Sequence, residues 1–311
     1  MITSGIITIV YFVLIVCGIL VLGLITSWVD RKVTARVQAR IGPPWFQPLA
    51  DILKLLGKET LIPDEASRYV FLLAPLFGLA GVALSAGLLG YVMLWPEEGF
   101  LGDVVVLVYL LIIPAIALII GASSTGNPIA IVGASREMKL ILGYELPYLI
   151  IVASVIVKSG FDIRFASIIE AQSVNGWNLL SISGIIGFIV LLLSTQAKLG
   201  LVPFDIPEAE QEIMGGIITE YSGPPLAMIK ITKMMLLAVL PLFMVTLLMG
   251  GIRLEGISIL WSILKYLSIV VLIVLIRNTN PRVRIDHAVK FFWGPLTILA
   301  VIGLVLGMYG W

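Results

Sequence analysis

Carboxylate side chains adjoin long apolar stretches at two places in this chain, and the first is segment 136–147 (REMKLILGYELP). Glu137 and Glu145 would lie about two turns apart, on overlapping faces, if this segment forms a continuous helix. An ionisable group in hydrocarbon costs several kcal/mol unless it faces water or a polar partner, so such groups often carry protons or ions. We expect Glu145, which follows Tyr144, to exchange protons. Glu137 either does the same or, with Arg136, marks a helix start among the lipid headgroups.

The second acidic segment, 203–220, carries five carboxylates between two apolar stretches: Asp205, Glu208, Glu210, Glu212 and Glu220. Close carboxylates repel one another, so we expect some of them to share protons and to titrate as coupled groups. They alternate with Ile, Met, Phe, Gly and Pro, which is typical of a half-buried segment that lines a cavity. A solvated acidic loop is the alternative. Three lysines lie in apolar surroundings, where they could extend to the membrane surface: Lys230, Lys233 and Lys265. Lys230 or Lys233 could instead pair with these carboxylates.

The chain has few metal ligands, with Cys17 as its one cysteine and His287 as its one histidine. Iron–sulfur clusters, haem and catalytic zinc need sets of such ligands, so we expect no metal, no cofactor and no catalytic residue on this chain. A disulfide within the chain is excluded. No glycine-rich nucleotide fingerprint is present either. Any redox chemistry must therefore belong to other subunits.

Composition predicts that lipid surrounds most of the chain. Of 311 residues, 59% are hydrophobic and 13% are charged, with a mean hydropathy of +1.10, whereas soluble proteins carry about 25% charged residues. A net charge of +1 gives no indication of a nucleic-acid partner. We predict an all-α polytopic membrane protein, a single transmembrane domain over 1–311. About eight stretches are long enough to cross a bilayer: 5–28, 70–95, 103–122, 140–157, 179–197, 224–249, 257–276 and 290–309.

Lys and Arg are concentrated in the loops after the first, third, fifth and seventh stretches. The positive-inside rule makes these loops cytoplasmic and places both termini outside. They cover about 29–69, 123–139, 198–223 and 277–289, and their length suggests a docking face. Their basic residues include Arg31, Lys32, Arg36, Arg40, Lys54, Arg136, Lys139, Lys198, Arg277, Arg282 and Arg284. The only basic residues in the other loops are Lys158, Arg164 and Arg253.

Between the first two stretches, Phe46 to Leu56 has apolar residues near helical spacing, with Asp51 and Lys54 interspersed. The segment is too short to cross a bilayer. We predict a short amphipathic helix that lies at the membrane interface or packs beneath the loop, with an ordinary surface helix as the alternative.

Four segments resemble, in order, the cytoplasmic loops of a known family. The first comprises DRKVTARVQARIGP (30–43) and QPLADILK (47–54). The others are REMKLILGYELP (136–147), PFDIPEAEQEIMGGIITEYSGPPLAM (203–228) and PRVRIDHAVKFFW (281–293). By these motifs the chain resembles the family of respiratory complex I subunit 1. The family includes membrane-anchor subunits of group 4 membrane-bound NiFe-hydrogenases, formate hydrogenlyases and archaeal relatives.

The resemblance implies a subunit that anchors a redox arm and couples its reaction to proton or sodium translocation. The carboxylates of the implied ion path are Glu137, Glu145, Asp205, Glu208, Glu210, Glu212, Glu220 and Asp286. We add Lys230 to this path because it lies in apolar surroundings close to the acidic segment in sequence. Its implied docking residues are Arg31, Lys32, Arg36, Arg40, Asp51, Lys54, Arg282 and Arg284. Implied partners are hydrogenase-like large and small subunits, an Fe–S protein, antiporter-like and small membrane subunits, and lipid. Fe–S clusters and a NiFe centre would lie on those partners.

One departure from the family pattern concerns the first loop. Gly42-Pro-Pro-Trp-Phe-Gln47-Pro48 is compact, whereas quinone-using members have more residues there. The shortening resembles the hydrogenase branch, so we expect a hydrogenase-type complex in the cell membrane. A quinone-, methanophenazine- or sulfur-reducing relative is the alternative within the family. A stand-alone secondary transporter would show inverted repeats, but the basic first loop and the acidic third loop have no counterparts.

Overall fold

The computed structural model describes residues 2–252 and 256–310, which form helices and loops without any strand. Seven helical segments in this part are long and apolar enough to cross a membrane, and α8 is a shorter apolar helix. The predicted all-α membrane architecture is confirmed. Arg253 lies outside the described residues. The helices are α1 Ile2–Val37, α2 Gln47–Leu56, α3 Arg68–Leu94, α4 Asp103–Leu110, α5 Ile113–Ser123, α6 Pro128–Lys158, α7 Phe165–Asn175, α8 Ile182–Lys198, α9 Glu210–Ile213, α10 Gly223–Leu248, α11 Ser258–Thr279, α12 Ile285–Phe291 and α13 Thr297–Met308.

Two crossings extend further into the charged segments than the sequence predicts. Helix α1 continues through the first basic residues to Val37, and α6 begins at Pro128 rather than near residue 140. Much of the loop predicted over 123–139 is therefore helical. At about 1.5 Å per residue α6 is about 46 Å long, more than the ~30 Å hydrocarbon core. Hydropathy missed this first part because charged residues alternate with a small-residue face that is buried.

Proline and local capping explain two further differences. The crossing predicted over 103–122 breaks between α4 and α5, because Pro114 has no N–H to donate to the carbonyl one turn earlier. Helix α8 has only 17 residues, and the Ser181 side chain caps its first turn by accepting a hydrogen bond from the Gly184 N–H (3.1 Å). Near the other end of the chain, α12 and α13 are joined by a π-helical turn, Phe292–Leu296.

The predicted amphipathic helix is confirmed as α2, which buries one face through Pro48, Ile52 and Leu55. Helix α7, which we did not predict, buries Phe165, Ile168 and Gln172. Its short, mixed sequence lacks the long apolar run that identifies a crossing.

Helix α10 forms the centre of the molecule, because 89% of its most apolar stretch is buried, against 11% for α1. It packs against α1 and α3 and also contacts α2, α8 and α11. Helix α6 packs with α5, α8 and α13. The ends of these helices meet the segment between α8 and α10, residues 199–222, which we call the acidic loop.

Candidate functional site

Ion pairs tie together the helix ends at the face that carries the acidic loop. They join α1 to α2 and α11, α6 to the acidic loop, and the acidic loop to the segment before α12. These pairs are Arg31–Asp51 (2.6 Å), Asp30–Arg277 (2.7 Å), Arg136–Glu212 (2.6 Å) and Asp205–Arg282 (2.8 Å). The four segments that carry the sequence motifs are thus neighbours in space.

The larger cavity at this face has a volume of about 830 Å³ and lies between α1, α10 and the acidic loop. Charged side chains line it from these three elements, from the segment after α1, from the end of α11 and from the segment before α12. They are Asp30, Arg31, Arg40, Asp205, Glu208, Glu210, Lys230, Lys233, Arg277 and Arg282. Six of these are cationic and four anionic, so a net positive charge faces the cavity.

A smaller cavity of about 40 Å³ leads inward and shares Leu199, Gly200, Glu208 and Lys233 with the larger one. This volume is enough for water, which needs at least about 10–15 Å³. Glu137, buried on α6, also lines it. Glu208 forms an ion pair with Lys233 of α10, as the sequence allowed. Polar groups therefore continue from the larger cavity toward α6.

Glu145 lies further along α6, where Lys198 at the end of α8 reaches it. The Lys198 Nζ lies 3.1 Å and 3.2 Å from the two carboxylate oxygens. Both side chains are largely enclosed, with 1% of Lys198 and 12% of Glu145 exposed. The rings of Tyr148 and Tyr144 lie 4.3 Å and 5.6 Å from the same ammonium group. The buried ion pair between Lys198 and Glu145 therefore lies next to the smaller cavity.

Asp205 connects the acidic loop to the segment before α12 through Arg282. Burial raises the pKa of Asp205, and the nearby Arg282 guanidinium opposes that shift. The Asp205 Oδ1 atom is buried without a hydrogen-bond partner among the described residues. This carboxyl group is therefore predisposed to take up a proton at the cavity wall.

The remaining predicted path residues are divided between the cavity and the surface. Glu210 and Lys230 line the larger cavity. Glu212 is half exposed and lines neither cavity. The Glu220 carboxylate accepts a hydrogen bond from the side chain of Asn127, the residue that caps α6. Asp286 is exposed on α12, away from both cavities.

The predicted docking residues are divided in the same way. Arg36, Lys54 and Arg284 are exposed, and Lys32 is partly exposed. Arg31, Arg40 and Arg282 also line the larger cavity, and Asp51 positions Arg31. The basic surface and the cavity mouth are therefore continuous.

The sequence analysis did not place Lys198, Asp30 or Arg277 among the path or docking residues. Lys198 is a lone cation between an apolar helix and an acidic loop, a position that suggests charge compensation for the loop. The available signal was its place at the very end of the apolar stretch. Within residues 2–252 and 256–310, no group of three or more His, Cys, Asp and Glu side chains is placed to hold a metal ion. The smaller cavity has room for water, and carboxylates and lysines line both cavities.

Comparison with known proteins places this geometry in a family. Residues 9–308 match the family described as NADH dehydrogenase. An NADH-quinone oxidoreductase subunit of Dehalococcoides mccartyi (strain CBDB1) is 31% identical over 96% of this chain and 85% of the relative. An NADH-quinone oxidoreductase subunit of Brevibacillus brevis is 32% identical over 92% of this chain and 88% of the relative.

A solved structure extends the comparison to another complex. A chain of the membrane-bound sulfane sulfur reductase, an archaeal respiratory membrane complex, superposes with a TM-score of 0.87 and 28% identity. The match covers 96% of this chain and 99% of that one. The helices, cavities and carboxylates described above therefore lie on a shared scaffold, and the chain belongs to the NADH dehydrogenase family of membrane proteins, the complex I subunit 1 type.

Proposed function

We propose that this chain anchors the electron-transfer arm of a complex I-like complex and couples its redox reaction to proton or sodium translocation. The supporting observation is a row of ionisable groups that leads from the larger cavity to Glu145. It passes Glu208 and Glu137 and ends at the buried pair between Glu145 and Lys198. Ionisable groups at such depth are costly, so a conduction role accounts for their presence.

Redox chemistry in this proposal takes place on the partner subunits. A change of redox state there would move protons along the path only if the two states interact differently with its carboxylates. The acidic loop is suited to that interaction, because it borders both cavities and reaches the exposed face. The acidic loop would thus lie between the redox centres of the partner subunits and the ion path in this chain.

Substitution of Glu145 by Gln tests the coupling. In inverted vesicles, Glu145→Gln should abolish ion pumping and leave assembly of the complex largely intact, because the amide keeps the shape but carries no exchangeable carboxyl proton. The Glu170→Gln variant is the control, since Glu170 is an exposed carboxylate on α7. Full pumping by Glu145→Gln would remove this residue from the path.

The kind of complex we propose is hydrogenase-type, as the compact segment 42–48 indicates. A sulfur-reducing complex is the second candidate. It is favoured by the match to 99% of the sulfane sulfur reductase chain, against 82–88% of the NADH-quinone relatives from Thermus thermophilus, D. mccartyi and B. brevis.

Purification of the complex in mild detergent distinguishes the two candidates. Nickel together with hydrogen evolution from reduced ferredoxin would support the hydrogenase. Iron–sulfur clusters without nickel, with reduction of polysulfide, would support the sulfur reductase. A chain that purifies alone, without redox metals, would contradict both.

A further inference from the structure

Lys198 occupies the boundary between the smaller cavity and Glu145. Lys198 lines this cavity, whereas Glu145 lines neither of the two cavities described above. The Lys198 Nζ nonetheless contacts both oxygens of Glu145, at 3.1 Å and 3.2 Å. A proton that reaches Glu145 from the cavity therefore meets Lys198 on the way.

The surroundings of the pair contain more polar atoms than the chain satisfies. The hydroxyl groups of Tyr144, Tyr148 and Ser194 are buried without a hydrogen-bond partner among the described residues. Ser194 precedes Lys198 by about one helical turn on α8. Buried polar groups are normally hydrogen-bonded. These hydroxyls are therefore free to donate to, or accept from, water or an ionisable side chain near the Lys198–Glu145 pair. An enclosure made only to hold a fixed ion pair would not need them.

We propose that Lys198 is a proton relay between the smaller cavity and Glu145, an inference that rests on the ion-translocating function proposed above. In the first step an N–H bond of the Lys198 ammonium breaks and an O–H bond forms on the Glu145 carboxylate. The ion pair becomes a neutral amine and a carboxylic acid. In the second step an O–H bond of the Glu137 carboxylic acid breaks, directly or through water in the cavity, and an N–H bond forms on the amine. This step restores the ammonium and leaves Glu137 as a carboxylate, which the cavity reprotonates. No electrons are transferred.

The charges of these states suit the low-dielectric surroundings. The ion pair and the neutral pair both have zero net charge, so the first step creates no isolated charge in the membrane interior. The second step leaves an ammonium beside a neutral acid. The faces of Tyr148 and Tyr144, at 4.3 Å and 5.6 Å, then stabilise that cation through cation–π attraction.

The Lys198→Arg variant distinguishes a lysine that relays protons from one that only supplies a fixed positive charge. Arg keeps the positive charge and pairs well with a carboxylate, but it does not deprotonate in proteins. In proteoliposomes, we expect the Lys198→Arg complex to assemble and to transfer electrons, while the movement of ions coupled to that transfer is lost. Lys198→Met should show the same loss of pumping. The control is Lys158→Met, which removes a lysine from the far end of α6.

The outcomes distinguish this inference from the proposed function. Normal pumping by Lys198→Arg, with pumping lost in Glu145→Gln, would overturn the relay and leave Glu145 in the path. Normal pumping by Glu145→Gln would remove Glu145, and with it the relay, from the path, whereas an unmodified complex that turns over without moving ions would contradict the proposed function.

A second measurement uses the unmodified complex. Infrared difference spectra should show a carboxylic acid band that changes with redox state and is absent from Glu145→Gln. A spectrum without that band would overturn the relay even if the Lys198 variants fail to fold.

Discussion

At the scale of single residues, burial decides what an ion pair contributes. Arg136 and Glu212 pair at 2.6 Å with 23% and 52% of their side chains exposed, and such surface pairs contribute about 0–1 kcal/mol. Lys198 and Glu145 are almost enclosed, and removing one partner of a buried pair costs about 3–5 kcal/mol. The first pair positions a loop, whereas the second holds charge in the membrane interior.

Asp205 provides a prediction that depends on pH. Its pKa is raised in the folded chain, mainly by burial, so the folded state binds the proton more tightly than the unfolded state. Ionised Asp205 therefore lowers the free energy of unfolding as pH rises from its ordinary pKa of 3.8 through the raised value. Asn does not titrate. We expect Asp205→Asn to gain stability relative to wild type as the pH rises above the ordinary pKa of 3.8.

Thermal unfolding of the purified protein in detergent, followed at several pH values, checks this expectation. As the pH rises, the melting temperature of Asp205→Asn should increase relative to that of wild type. Parallel curves would show that Asp205 binds its proton equally in both states.

At the scale of elements, α6 matters because it carries both Glu137 and Glu145. Its first turns, which the sequence assigned to a loop, pack against the acidic loop through small residues. Asn127 caps this helix by accepting a hydrogen bond from the Ile129 N–H (2.8 Å), and its amide also donates to Glu220. The start of the helix and the end of the acidic loop are therefore held together.

Close packing at Gly133 gives a prediction with a control on the same helix. A Cβ at Gly133 would lie 2.6 Å from the Ile217 N atom, whereas one at Gly143 would meet Phe292 at 3.6 Å. Both substitutions gain helix propensity of about 1 kcal/mol. Gly133→Ala should still destabilise the protein by about 1–3 kcal/mol, because backbone must move.

Gly143→Ala should be at least as stable as wild type, since its new contact is ordinary. Thermal unfolding followed by tryptophan fluorescence compares the two variants. Equal melting temperatures would mean that the acidic loop is not held against α6.

At the scale of the whole molecule, the basic surface and the mouth of the larger cavity share one face. Cationic residues of α1 and the segment after it surround the mouth of the larger cavity. A partner bound there would cover the mouth and contact the acidic loop at once. Docking and coupling would then depend on the same surface.

Charge reversal at Arg36 and Arg40 tests this docking surface. The double substitution Arg36→Glu and Arg40→Glu should release the peripheral subunits, because ion pairs with partner carboxylates would become repulsive. Replacement of both residues by Lys keeps the charge and should retain the subunits. Affinity purification of the membrane complex, with its subunits counted on a gel, gives the answer. A full set of subunits in the charge-reversed complex would refute the docking role.

The sequence alone predicted the lipid surroundings, the apolar stretches that form the membrane-spanning helices and the segments that carry charge, although it counted the short α8 as an eighth crossing. Hydropathy reports these properties because each crossing needs its own apolar run, independent of its neighbours. The motifs around Glu145 and Asp205 were visible for the same local reason. Helix ends were predicted less well, as α6 shows, since charged residues interrupt hydropathy without interrupting a helix.

Tertiary structure decided which charged groups meet. Lys198 and Glu145 are far apart in sequence, and their contact depends on how α8 packs against α6. Packing between other elements leaves Glu212 and Asp286 outside both cavities and brings Asp30 and Arg277 to the wall of the larger one. Side-chain partners depend on the rotation and depth of each helix, which arise from packing between distant segments. The composition of a short segment does not specify that geometry.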